Sequence, residues 1–208
     1  PLVLKNINLD IKNKQSLAIV GRTGSGKSTL VSLIQKFYPV ANDSLLINSL
    51  CINKYQSHAL RSKINVLQQN NFIFKGSLED NVTLLNPNIS HDTVIKALKT
   101  VQCDYLLDRQ KDSKNPKLFI EENGSNLSVG EKQLIAFARI IAFNPEILVL
   151  DEATANIDTN TEKLIQAATE KIISGRTSII IAHRLSTIVN CDKILLLDKG
   201  EVLEYGSH

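Results

Sequence analysis

The chain is 208 residues long, 43% hydrophobic and 22% charged, with a net charge of +3 at pH 7. That is the size and balance of one soluble globular domain with a full core. The small, dispersed positive charge gives no footprint for nucleic acid, and none is expected as a partner. The longest apolar stretch, 134 to 143, is broken by Arg139 and falls well short of the ~18–20 residues of a membrane helix.

In chain order, Ile7, Leu9 and Ile11 alternate as in a half-buried strand. Leu17 to Val20 is a short buried strand, and from Thr29 onward Leu30, Leu33, Ile34 and Phe37 recur with helical spacing. Between them lies Gly21-Arg22-Thr23-Gly24-Ser25-Gly26-Lys27-Ser28, which meets the context test for a phosphate loop: strand before, helix after. The glycines let the backbone turn tightly and bring N–H groups against phosphate oxygens, and the helix N-terminus adds partial positive charge. Lys27 is placed to reach the β- and γ-phosphates, and the Ser28 hydroxyl to ligate a magnesium ion.

Leu45 to Ile47 and Ile64 to Leu67 are further strands, and 90 to 107 has helical apolar spacing at Val94, Ile95, Leu98 and Val101. Leu127-Ser128-Val129-Gly130-Glu131 precedes a helix with Leu134, Phe137, Ala138 and Ile141 on one face. By itself this is an ordinary serine cap; beside a phosphate loop, Ser128 and the amides of Val129 and Gly130 form a second anion site. Its distance along the chain suggests a site shared by two protomers. Ile147 to Leu150 is a buried strand ending in Asp151 and Glu152. In a phosphate-loop protein the first acid binds magnesium, and the second polarises the attacking water. Thr159 to Glu162 reads as a capping box opening a helix with Leu164, Ala168 and Ile172. Ser178 to Ile181 and Ile194 to Leu197 are the last expected strands, the former leading into Ala182 and His183, a donor suited to the γ-phosphate and the water.

The expected fold is α/β: a core from about 1 to 70 and 145 to 208, with a mainly helical insertion over about 71 to 144. Cys51, Cys103 and Cys191 are odd in number and lack metal spacing, as expected of reduced packing thiols in a cytosolic compartment. The chain begins at Pro1 without methionine and ends at His208 without a closing element, which reads as one domain of a longer protein.

Over essentially its whole length the sequence resembles the nucleotide-binding domain of ABC transporters. LSVGE with Lys132 and Gln133 is similar to the family signature, Ala155-Asn156-Ile157-Asp158 to its D-loop, His183 to its switch histidine and Gln69 to its magnesium-contacting Q-loop glutamine. The segments Phe72 to Leu78 and Glu121 to Ser125 resemble exporter-type contacts with membrane domains. Ser57 to Arg61 and the SVGEKQ form are most similar to bacterial multidrug resistance-like ATP-binding half-transporters. Val129 and Glu131 stand where the commonest signature has glycine and glutamine, while Ser128 and Gly130 keep the phosphate-facing roles.

The resemblance implies a P-loop NTPase core of RecA-like type with an inserted helical subdomain, forming one domain over 1 to 208. It implies that Gly21 to Thr29, Gln69, Ser128 and Gly130 bind ATP, that Ser28, Gln69 and Asp151 serve Mg2+, and that Lys27, Glu152 and His183 are catalytic. The implied partners are a transmembrane domain, on the same or another chain, and a second nucleotide-binding domain in a homodimer or heterodimer. Such a domain, itself soluble, sits at the cytoplasmic face of the inner membrane and powers export of a small molecule, drug or lipid. The aromatic residue on which the family stacks adenine is expected upstream of Pro1, so the isolated chain is expected to bind ATP weakly. Two alternatives stay open: an ABC-type ATPase without membrane domains, and a non-catalytic regulatory cassette.

Overall fold

The computed structural model describes residues 3–68, 71–109, 119–151, 159–182 and 185–208. The first half of the chain forms β1 (Ser16–Val20), α1 (Lys27–Ile34), β2 (Leu46–Ile47), β3 (Leu50–Cys51), α2 (Ser57–Lys63), β4 (Ile64–Leu67), β5 (Gly76–Ser77), α3 (Leu78–Thr83) and α4 (His91–Thr100). The second half adds β6 (Phe119–Ile120), α5 (Val129–Phe143), β7 (Ile147–Asp151), α6 (Thr159–Ile173), β8 (Thr177–Ile181), α7 (Leu185–Val189), β9 (Lys193–Asp198) and β10 (Glu201–Gly206). They fall into two compact units, Pro1–Val66 with Pro145–Glu152 and Gly175–His208, and Leu67–Asn144 with Ala153–Ser174. The helix α6, which the sequence reading groups with the α/β core, thus belongs to the helical unit.

The first unit is built on a six-stranded sheet in the order β10-β9-β1-β8-β7-β4. Strands β9, β1, β8 and β7 run parallel, and β10 returns antiparallel along β9. The parallel strands are unbroken apolar runs because both faces of such a sheet are covered. Leu17, Ile19, Val149, Ile179, Ile181 and Leu195 lie in one buried cluster with Val31 of α1 and Leu60 of α2. Parallel pairing also gathers the chemistry, since every loop leaving a parallel strand's carboxyl end emerges on the same edge.

Two expectations change here. Ile7, Leu9 and Ile11 form no strand; they are half-buried residues of an irregular segment packed on the core. Alternation reports a face turned inward, and no neighbouring strand accepts a ladder from it. The chain does have a closing element, the edge strand β10, whose register shifts between Val202 and Glu204.

In the second unit α3, α4 and α6 pack around α5, whose Leu134, Ile135, Phe137, Ala138 and Ile140 are almost wholly buried. Serines open the helices: Ser77 forms a capping box with Asp80, and Ser90 accepts from the Thr93 amide. The helix expected over 90 to 107 stops at Thr100, and Gln102 turns left-handed ahead of a short 3-10 segment, Asp104–Leu107. The helix α6 already includes Thr159, so that residue lies in its first turn rather than capping it. Arg139, the break in the apolar run, donates its Nε to the Asn81 carbonyl at 2.5 Å. The three cysteines are buried, Cys191 Sγ donates to the Thr187 carbonyl at 3.2 Å, and burial pushes the Cys103 thiol up to about 12. Among the described residues no helix is long and apolar enough to cross a membrane.

Candidate nucleotide site

The phosphate loop follows β1 and ends at Gly26, which caps α1 with φ 110°. A side chain there would be strained, and its β-carbon would stand 2.6 Å from Leu4 Cδ2. No side chain caps α1, and its first turn carries no acid, so its leading N–H groups are open to an anion. Lys27 is buried and donates from Nζ to the carbonyls of Gly21 at 2.7 Å and Arg22 at 2.9 Å. Its ammonium is therefore folded over the concave side of its own loop, with a third donor to spare. Among the described residues Ser25 Oγ is the buried side-chain polar atom that has no hydrogen-bond partner. Donors lining a glycine cradle, a folded-back lysine and an orphaned hydroxyl fit a polyphosphate better than any apolar ligand.

The loop is held from outside as well. The Ser25 carbonyl accepts from the Gly200 amide at 2.9 Å, and the Gly200 carbonyl accepts from Lys5 at 2.8 Å. The turn between β9 and β10 is thus bonded to the loop's back.

Asp151 ends β7 in register with Ile181 of β8, which is in turn opposite Ile19 of β1. Its half-buried carboxylate therefore reaches the sheet edge on the rung just before the phosphate loop leaves β1. The Ser28 hydroxyl lies exposed on the first turn of α1. Both are hard oxygen donors, the class magnesium takes alongside phosphate oxygens.

In the helical unit Ser128 caps α5. Its Oγ accepts from the Glu131 amide at 3.2 Å, while Glu131 Oε2 accepts from the Ser128 amide at 2.7 Å, a complete capping box. Glu131 is only 9% exposed. Arg109 Nη1 donates to its other oxygen, Oε1, which also accepts from the Tyr105 hydroxyl at 3.4 Å. Burial alone pushes the Glu131 carboxyl up; the Ser128 amide and Arg109 outweigh it and hold it below the ordinary glutamate value. Burial, with Glu131 next, pushes Tyr105 up to about 12. Gly130 is buried against α6: a β-carbon on it would lie 2.0 Å from Thr161 Cγ2. The neighbouring Val129 is 61% exposed.

The structure thus brings Gly21 to Thr29 and Asp151 to one sheet edge, and it puts Ser128 and Gly130 at the head of α5. Gln69, Glu152, the 155–158 segment and His183 lie outside the described residues. Sequence reasoning missed Arg109 and Tyr105, which stand 22 and 26 positions before Glu131. It also missed Thr161, which meets Gly130 where α6 packs on α5.

A mainly parallel sheet, a glycine loop running from its inner strand into a helix with no side-chain cap, and an acid two strands away on the same edge together define a P-loop NTPase. The comparisons with known proteins narrow the class. The ABC transporter family model matches residues 4–155, and the chain belongs to that family, of which it supplies the ATPase domain. It is 43% identical over 206 residues to the multidrug resistance-like ATP-binding protein MdlB of Buchnera aphidicola subsp. Schizaphis graminum, covering 99% of this chain and 35% of that protein. It is 42% identical over 208 residues to the alpha-hemolysin translocation ATP-binding protein HlyB of Escherichia coli O6:H1, covering 100% of this chain and 29% of that one. A solved bacterial Atm1-family ABC exporter with ATP bound matches 99% of this chain with a TM-score of 0.86 and 35% identity. That match spans 36% of the exporter chain. This chain therefore spans about a third of the length of the proteins it matches.

Proposed function

We propose that this chain is the ATP-hydrolysing motor of a membrane exporter, attached to a transmembrane domain at the cytoplasmic face of the inner membrane. The observation that carries the reading is the open first turn of α1 under Lys27, next to Asp151 on the same edge. The names of its relatives, multidrug resistance-like and translocation ATP-binding proteins, support an exporter over an ATPase without membrane domains.

In this reading the amides of Gly21 to Ser28 and the head of α1 cradle the phosphates, and Lys27 leaves its loop carbonyls for the β- and γ-phosphate oxygens. Ser28, Asp151 and Gln69 would hold Mg2+, which would supply counter-charge to the phosphates. Glu152 takes the proton of the attacking water, an effect worth roughly 10²–10⁴-fold, and His183 orients that water toward the γ-phosphate. Ser128 and Gly130 serve the nucleotide held by a second cassette facing head to tail, an identical or a sister chain. Closure of the pair assembles the site, and hydrolysis reopens it.

Single-turnover hydrolysis by the full transporter carrying Glu152→Gln tests the assignment. Binding is expected to persist while turnover falls at least about a hundredfold; unchanged turnover with intact binding sinks it.

A further inference from the structure

The head of α5 carries a charge that the capping chemistry does not need. A neutral glutamine makes the same bond to an N-cap amide as a glutamate does, yet position 131 holds a carboxylate that is almost buried. An ionised group so placed is tolerated only when it is paired. Here the pairing is supplied from outside the helix: Arg109 donates to Oε1, the oxygen not engaged by Ser128, and its second nitrogen lies 3.5 Å from the Asn126 carbonyl. The planar fork of arginine suits this double duty, which a lysine point charge does not reproduce.

Without its counter-charge this carboxylate would work against an incoming triphosphate in two ways. It would repel the phosphates from a helix end whose dipole otherwise attracts them. It would also turn toward water to recover solvation, withdrawing the clamp on the Ser128 amide and loosening the cap.

We infer that Arg109 is a positioning residue for ATP use: by pairing with Glu131 it keeps that carboxylate seated on Ser128, so that Ser128 and Gly130 stay presented to the nucleotide of a second cassette. The inference rests on the reading of α5 given above. Arg109 touches no nucleotide itself; it acts through Glu131.

The test is a double-mutant cycle in the full transporter, reading kcat and KM for MgATP separately. Arg109→Gln is expected to lower kcat/KM about tenfold, mainly through KM, within the usual coupling of neighbouring charged groups. Adding Glu131→Gln is expected to restore it to within about twofold of the parent, because the neutral cap needs no counter-charge. Arg109→Lys, which keeps the charge and loses the fork, is expected to fall between, and it reports on the pairing even if Arg109→Gln folds poorly. Parent-like kinetics for Arg109→Gln, or a loss that Glu131→Gln does not repair, overturns the inference, since the loss of an arginine needed only for packing is not repaired by removing its partner's charge. Ser128→Ala separates the two levels. If it is impaired while Arg109→Gln is not, the inference alone fails; if it turns over like the parent, the reading of α5 fails first.

Discussion

The heads of α1 and α5 are both glycine-containing helix starts read from the sequence as phosphate sites, and they solve the problem of leading N–H groups in opposite ways. At α1 the cap is a left-handed glycine, no side chain bonds the first turn, and no acid stands there. At α5 a serine and a glutamate occupy two of the backbone donors reciprocally. Helix stability and anion binding draw on the same groups. A helix end that keeps its donors open must be stabilised from elsewhere, as the bond from the Gly200 amide braces the phosphate loop. A helix end that caps itself has fewer donors left to offer a ligand.

Three measurements bear on that contrast. Lys27→Ala is expected to weaken MgATP binding about 10- to 100-fold, the worth of a hydrogen bond from a charged donor, while the melting temperature of the free protein barely moves. Titration calorimetry beside thermal melts checks this, and a large loss of stability would show that α1 depends on its lysine as α5 depends on its box. At α5 the sensitive point is packing: Gly130→Ala is expected to cost about 1–3 kcal/mol in urea unfolding through overpacking against Thr161, and Thr161→Ala in the same chain to recover most of it. Failure of that recovery would return Gly130 to a purely phosphate-facing role. The smallest effect is in acid. Because the folded Glu131 carboxyl sits below its ordinary value, its contribution to stability is fully present above the ordinary carboxylate range. It is lost as pH falls through the lowered folded value. Urea midpoints between pH 7 and pH 3 are expected to drop more for the parent than for Glu131→Gln; parallel curves would break the assignment.

Much of the sheet was legible because its inner strands are continuous apolar runs, and Leu17 to Val20, Ile147 to Leu150 and Ser178 to Ile181 lie where the sequence puts them. The edges were harder. Alternation at Ile7, Leu9 and Ile11 signals burial of one face without supplying a pairing partner, whereas β10 carries Glu201 and Glu204, charges that suit an exposed edge strand and disguise it. At the site, the loop from Gly21 to Ser28 was readable because its function is local, with strand, glycines, lysine and helix consecutive in the chain. The Arg109 to Glu131 pair was not, since it joins residues brought together only by the packing of the helical unit. For the same reason Gly130 gave no sign of meeting Thr161.

The ties through Gly200 bear on the order in which the protein is made. The phosphate loop is synthesised well before its outer support, the turn between β9 and β10, and before β9, which flanks β1 in the sheet. Contacts of such long sequence separation form late and slowly. During synthesis the nucleotide cradle must therefore wait, with its lysine and glycines already made, until the turn between β9 and β10 has emerged. A nascent chain stalled before residue 200 would carry every residue of the loop and lack the contact that holds its shape.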